Sequence, residues 1–335
     1  MSAPSVSIIV PCRNYGRFLS QALGGLLDQS IADLEVIVID DASTDDSPAV
    51  AQAFGADPRV RVLLHQRNIG HLATYNEGLA LARGSVVGLL SADDLMLDRD
   101  ALAKQLQLFA ADPAVGLVYA GHVIVHPDGE REVVLPSTAT EIREGRDEFA
   151  RLMWGNYITH SGTLLRAEVA RALGPYDLRL PHTGDWDMWL RAAARGRVGY
   201  VAEPLYGYRM HGVNMRHRSI SPAHAARESV FTLQRGLDAL RPADRAALAS
   251  SVVRAVDHAL LQNAWFDLTL GHHRRTLAAA LYAIGQRPRV LRNGELWRLV
   301  ARIALAALVG RRRYRRASSW RRSRRARLGE IVAGQ

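Results

Sequence analysis

The chain has 335 residues, 48% hydrophobic and 23% charged, the composition of a globular protein rather than a disordered, collagenous or disulfide-stapled one. Cys12 is the only cysteine, which excludes an internal disulfide and fits a reducing compartment. The formal net charge of +10 belongs to one stretch: residues 311–327 (RRRYRRASSWRRSRRAR) hold ten arginines and no acid, so the remainder sums to zero.

Length allows one large domain or two smaller ones. The opening residues MSAPSVSIIVP lack a basic n-region and are not expected to be a signal peptide. No window reaches the ~20 apolar residues that span a bilayer. The longest candidate, Leu299–Val309, is short and carries Arg302.

Ser5–Val10 (SVSIIV) reads as a buried strand, followed by a loop through Pro11, Cys12, Arg13 and Asn14. Tyr15, Phe18, Leu19, Ala22, Leu23, Leu26 and Leu27 then mark one face of a helix. Leu34–Ile39 (LEVIVI) is a second strand and ends in Asp40-Asp41. A helix through Phe54, a strand at Arg61–His65, a turn at Asn68-Ile69-Gly70 and a helix to Arg83 lead to a strand at Val86–Leu90. That strand stops abruptly at Ser91-Ala92-Asp93-Asp94. Strand–helix alternation with short loops predicts a parallel sheet with right-handed crossovers. Ligands bind at the carboxyl edge of such sheets. Two acid pairs at that edge point to a shared polar ligand or a divalent cation, against the alternative of two polar turns with Asp94 as a helix cap.

These residues resemble family 2 glycosyltransferases. The resemblance is carried by S-I-I-V-P-C-R-N-Y (7–15), V-I-D-D-A-S-T-D (38–45), N-I-G (68–70), N-E-G-L-A-L-A-R-G (76–84) and S-A-D-D (91–94), and runs from about residue 5 to about 215. It implies an inverting enzyme with the GT-A fold, an α/β Rossmann-like, mainly parallel sheet flanked by helices. A C-terminal helical extension is expected after it. It further implies that Pro11, Arg13, Asn14, Asp41, Asn68 and Asp93 bind the donor nucleotide, and that Asp94, with His211 nearby, holds Mn²⁺ or Mg²⁺ on the diphosphate. Such a cation stabilises the charge of a departing diphosphate. The chain departs from the family pattern at three places. Ser91 stands at the first position of the usual Asp-x-Asp, Thr74-Tyr75 replaces an Ala-Arg pair, and Gly184 replaces a Glu.

Further along, Asp98–Ala110 reads as a helix and Val115–Val125 as a strand. Pro127-Asp128-Gly129 is a turn that returns Glu132–Leu135 as a hairpin arm. Arg146–Trp154 is a short helix, and Asn156–Arg166 carries His160, an acceptor contact or a structural histidine. Thr183–Arg191 (TGDWDMWLR) resembles the family's general-base segment, which makes Asp185 the candidate base. A positioned base is worth ~10²–10⁴ in rate; the rival role is helix capping. Asp187 and Arg191 are spaced as a helix-surface ion pair. Trp186 is expected to pack, or to stack on a sugar. In Glu203–Asn214 (EPLYGYRMHGVN), Arg209 is a candidate for the leaving phosphate and His211 for the metal.

The expected domains are a catalytic domain over 1–220, with a nucleotide-sugar half to about 95 and an acceptor half beyond, a helical extension over 221–310, and an Arg-rich tail over 311–335. Within the extension, Ala264–Arg287 looks like one helical hairpin. Trp297–Val309 plus the tail has the composition of an interfacial membrane segment, so an anionic membrane surface is the expected partner and nucleic acid the lesser one. The expected function is glycosyl transfer from a UDP-type sugar nucleotide to a carbohydrate or lipid-linked glycan, peripheral on the cytoplasmic face of a membrane. A metal-dependent nucleotidyltransferase and a non-catalytic scaffold binding membrane or nucleic acid are the alternatives. The first would carry a Gly-rich phosphate loop where Pro11–Gly16 stands.

Overall fold

The computed structural model of the chain describes residues 4–212, 221–269 and 272–309. The Arg-rich segment 311–327 lies outside them. The chain divides into two compact units, Met1–Arg218 with Thr232–Leu248, and Ser219–Phe231 with Ala249–Gln335.

In the first unit the order is β1 (Val6–Cys12), α1 (Gly16–Leu27), β2 (Leu34–Asp40), α2 (Ser47–Phe54), β3 (Val60–Leu64), α3 (His71–Leu81), β4 (Val86–Leu89) and β5 (Leu95–Met96). Then come α4 (Ala101–Ala111), β6 (Val115–Val125), β7 (Arg131–Val134), β8 (Glu141–Arg143), α5 (Gly145–Leu152), β9 (Leu164–Arg166), α6 (Ala167–Leu173), α7 (Gly184–Ala193) and β10 (Arg197–Arg209). Among the described residues ten strands form one sheet in the order β3-β2-β1-β4-β9-β6-β10-β5, with β7 on β6 and β8 on β10. The long ladders are parallel: β1 with β2 and with β4, β2 with β3, and β6 with β10. The short β9 runs antiparallel between β4 and β6.

β1 shows why the strands read as unbroken apolar runs. Ile8 and Val10 pack on one face with Leu19, Leu23 and Leu26 of α1, while Ile9 joins Ile37, Ile39 and Leu79 on the other. A sheet covered by helices on both sides leaves no polar face. On α1, Leu19, Ala22, Leu23 and Leu26 are buried as their spacing predicts. Phe18, on the same stripe, is instead half-buried and takes part in the site below.

The pair Asp187–Arg191 corrects the sequence expectation of a surface pair. Asp187 is fully buried, with Arg191 Nη2 2.8 Å away and Arg235 Nε donating to its Oδ1 at 2.7 Å. Arg235 lies on α8 (Pro222–Ala239), whose second half packs within the first unit. Thr183 and Thr232 share a hydroxyl hydrogen bond of 2.6 Å there. The first unit thus also takes in residues 232–248.

The second unit has its own core. Leu260, Leu261, Ala264 and Leu268 of α9 (Pro242–Thr269) meet Ala279, Ala280 and Ala283 of α10 (His273–Gln286) and Leu296 and Leu299 of α11 (Gly294–Val309). The segment expected as one helical hairpin, 264–287, takes in the end of the 28-residue α9 and all of α10. Among the described residues no helix is long and apolar enough to cross a membrane.

Candidate active site

The loops after β1 and β2 are sewn together at the carboxyl edge of the sheet. Asn14 N donates to Ser43 Oγ (2.8 Å), Thr44 N to Asn14 Oδ1 (2.7 Å), and Tyr15 N to Ser47 Oγ (3.1 Å). Asn14 and Ala42 both adopt left-handed backbone, at φ 59 and 56. For Ala42 that is a strained conformation, held by the surrounding bonds. The Asn14 side chain is thus a strut between loops, while Arg13 is exposed and Pro11 half-buried at the strand end. Cys12 is buried, which pushes its thiol up to about 12 and makes it inert.

Asp41 is buried, and its carboxylate closes the turn that follows β3. Oδ1 accepts from Ile69 N (2.7 Å) and Oδ2 from Gly70 N (3.0 Å). His65 reaches Asp41 through Nδ1 (3.1 Å) and Glu77 through Nε2 (2.7 Å). Burial opposes charge on that ring, but the two carboxylates prevail and raise His65 above the usual histidine range. Asn68 Oδ1 accepts from Gly70 N (2.9 Å), so it also belongs to the turn. Asp40, the other member of this acid pair, is buried as well. Its Oδ1 accepts from Ser43 N (2.9 Å), while Oδ2 is buried without a hydrogen-bond partner among the described residues.

Asp93 and Asp94 stand just beyond β4, both buried. The end of β10 crosses over them. Arg209 N donates to Asp94 Oδ1 (3.0 Å), Arg209 Nε to the Asp93 carbonyl (2.9 Å), and Arg209 Nη2 to Gln21 Oε1 (2.7 Å). His211 Nε2 lies 2.9 Å from Asp93 Oδ2. Its ring stacks on Phe18 (5.0 Å, 27°) and meets Tyr15 edge-on (5.5 Å), while Arg209 covers Phe18 at 4.7 Å. Ser161 Oγ donates to Asp94 Oδ2 (2.5 Å) and accepts from Ser91 N (3.0 Å). The next residue, Gly162, has φ +82, and a Cβ there would lie 2.2 Å from the Tyr206 ring, so only glycine lets the segment pass. Burial, and then the adjacent Asp93 charge, hold the Asp94 carboxyl well above the ordinary range despite the bonds from Ser161 and Arg209.

Asp185 sits in the first turn of α7, where the helix dipole favours a carboxylate. The N-cap position belongs to Thr183, so Asp185 is not the cap. Its Oδ2 accepts from Asn156 Nδ2 (2.8 Å) and its Oδ1 from Trp186 N (2.7 Å). Trp186 is 2% exposed with its indole N–H on the Leu152 carbonyl (2.9 Å), a packing residue with no face to offer a sugar. His160 lies among Tyr75, Tyr176 and Trp189, with Nε2 2.9 Å from the Tyr176 hydroxyl. Burial, aided by His71, pushes His160 down to about 3, so the ring is neutral. Tyr75, the departure from the family pattern on α3, is packed edge-on to His160 at 4.8 Å. Burial pushes its phenol well up, and the charges of Tyr176, Asp93, Asp185 and Asp94 add to it. The acids that act on this phenol come from two segments, the adjacent Asp93 and Asp94 after β4 and Asp185 on α7. Gly184, the other departure, packs against Leu72 and Tyr176.

The donor set suits a hard cation. Two adjacent buried carboxylates with an imidazole on one of them concentrate negative charge beside a single guanidinium. Among the described residues no group of three or more His, Cys, Asp or Glu forms a metal cage, so the protein would supply only part of a coordination shell.

The chain is similar to known proteins. The sequence profile described as glycosyl transferase family 2 matches residues 7–174. A PGL/p-HBAD biosynthesis glycosyltransferase of Mycobacterium tuberculosis is 30% identical over 193 residues, 57% of this chain and 70% of that protein. Chondroitin synthase of Pasteurella multocida is 26% identical over 212 residues, 63% of this chain but only 21% of the synthase. Among solved structures, S. aureus TarS 1–349 in complex with UDP-GlcNAc superposes with a TM-score of 0.66 at 17% identity, covering 85% of this chain and 82% of that one. The mannosyltransferase PcManGT from Pyrobaculum calidifontis, in complex with GDP-Man and Mn²⁺, gives 0.56 at 20% identity over 92% and 88%. At those identities the structures establish the shared GT-A fold. The profile spans half of the chain, and together with the mycobacterial relative it establishes that this protein belongs to glycosyl transferase family 2 and is a glycosyltransferase.

Proposed function

We propose that the enzyme is an inverting transferase that moves a sugar from a UDP-linked donor to an acceptor hydroxyl in surface polysaccharide or glycolipid synthesis. The observation that carries this is the pair Asp93–Asp94, buried side by side beyond β4, with His211 Nε2 2.9 Å from Asp93 Oδ2 and Arg209 donating to both residues. Asp185, in the first turn of α7, is a separate carboxylate held by Asn156.

On this reading Asp94, beside Asp93 and His211, would hold Mn²⁺ or Mg²⁺. When bound, such a cation supplies charge neutralisation for the leaving diphosphate. Pro11, Arg13, Asn14, Asn68 and Asp93 form the donor side, and Asp41 serves it by fixing the turn at 68–70. Arg209 adds positive charge at the diphosphate. Asp185 takes the acceptor proton as the acceptor oxygen bonds to the anomeric carbon. The bond from that carbon to the diphosphate oxygen breaks with its electron pair, and the configuration inverts. Asn156 orients Asp185 through its side-chain amide. His160 lies behind the site as a neutral packing ring. The bound donors of TarS (UDP-GlcNAc) and PcManGT (GDP-Man) support a nucleotide-sugar donor. An anionic membrane surface on the cytoplasmic side is the proposed partner of residues 311–327.

The test is a panel of nucleotide sugars with Mn²⁺, scored for thermal stabilisation and for release of nucleotide diphosphate. UDP release with one UDP-sugar is expected. Pyrophosphate release would instead indicate nucleotidyl transfer, and preference for a GDP-sugar would correct the donor.

A further inference from the structure

α11 is apolar on two sides. Leu296, Leu299 and Ile303 turn into the core of the second unit. At about 100° per residue these three cover one arc of the helix. Trp297, Ala301, Ala304 and Leu305 point away from that arc and form an outward one, with Val300 on its flank beside Leu296, and all five are exposed. Trp297 is 56% exposed and Leu305 48%. Arg298 and Arg302, also exposed, run along one edge of this arc. A water-facing helix normally places polar residues there. α10 repeats the pattern, with Leu277 and Leu281 exposed at 50% and 60%, one turn apart and away from its buried alanines.

Charge selects the occupant. Residues 273–309 contain seven arginines and one acid, Glu295, and the ten arginines of 311–327 follow. A second copy of the chain would bring the same positive charge to the contact, whereas an anionic bilayer brings the opposite. The Trp297 indole donates to the Leu291 carbonyl (2.8 Å), so its ring is held while its face stays exposed, as suits a membrane–water boundary. Beside the arc runs a groove of about 590 Å³ lined by His258, Trp265, Glu295, Arg298, Ala301 and Arg302. Arg302 lies 5.4 Å over the Trp265 ring. Guanidinium groups in such a place suit a lipid phosphate.

We propose that the outward arc of α11, edged by Arg298 and Arg302, is a docking surface for an anionic phospholipid bilayer, the helix lying in the interface rather than crossing it. The proposal rests on the membrane as this protein's partner, and moves the main contact from the Arg-rich segment to a folded helix face.

Co-sedimentation of the full chain with vesicles of phosphatidylcholine, alone or mixed with phosphatidylglycerol, tests it. Wild type is expected to bind the mixed vesicles at least about tenfold more tightly than the neutral ones, and less so in high salt. Val300→Gln/Leu305→Gln is expected to weaken that binding about tenfold or more while transfer to a soluble acceptor is unchanged. Trp297→Gln reads the same face through another side chain and decides the matter if the double variant does not fold. Wild type that ignores anionic vesicles overturns the membrane reading itself. Wild type that binds while the folded variants bind equally overturns the helix face and leaves the contact to 311–327. Self-association of wild type without lipid, lost in the variants, assigns the face to a second copy and also overturns it.

Discussion

β2 and β4 flank β1 on either side, and each ends in two aspartates, yet the two acid pairs are handled in opposite ways. At the end of β2, Asp41 is met by two backbone N–H groups and a histidine. It is a buried carboxylate whose charge is answered by the fold. At the end of β4, Asp94 receives a hydroxyl and one backbone N–H, but it also faces the charge of Asp93, and its carboxyl is held well up. In the first pair, Asp41 holds a turn in place. In the second, burial and the adjacent Asp93 raise the Asp94 carboxyl, and on the proposed reading a bound cation would answer that charge. Acid pairs at strand ends thus look alike in sequence, and their partners in the fold distinguish them.

The largest expected effect lies outside both pairs and shows what they serve. Asp185→Asn should cut transfer by ~10²–10⁴ while nucleotide diphosphate binding with Mn²⁺ stays as in wild type, read by steady-state kinetics and calorimetry. Retained turnover would remove Asp185 as base. Next comes Asp41→Ala, which strands the N–H group of Ile69, leaves Gly70 N to Asn68 alone and takes a carboxylate from His65. It should lower stability in urea by about 2 kcal/mol or more. Asp94→Asn, by contrast, should leave the metal-free protein as stable as wild type or more so, because it removes a carboxyl whose ionisation burial and Asp93 oppose. Equal destabilisation by both variants would erase the distinction between the pairs. The smallest effect concerns His160. Its folded value is below the unfolded 6.5, so the unfolded chain takes up a proton that the folded ring refuses. Stability should therefore fall as pH drops below about 6.5, and His160→Gln should flatten that acid limb in a thermal-melt series.

Much of this was legible in the sequence, for physical reasons. β1, β2 and β4 announce themselves as apolar runs because both faces of the sheet are covered, and their acids stand out because strands exclude aspartate. Other features depended on partners far along the chain. Arg235, 48 residues after Asp187, buries what the spacing alone suggests is a surface pair. Ser161 meets Asp94 across 67 residues. Phe18 sits on a core-type stripe, yet its ring carries His211 and Arg209. β9 has only three residues, too few to show a period, and its antiparallel direction follows from pairing with β4 and β6. Trp186 and His160 occur in the right segments but face inward, which residue type could not reveal.

The most direct measurement is calorimetric titration of UDP into wild type and Asp94→Asn, each with and without Mn²⁺. A donor site at the end of β4 predicts that Mn²⁺ tightens UDP binding to wild type at least tenfold, about 1.4 kcal/mol, and that Asp94→Asn loses this gain while keeping the metal-free affinity. If Mn²⁺ tightens UDP binding equally in both proteins, Asp94 does not hold the metal, and the contrast between the two acid pairs fails.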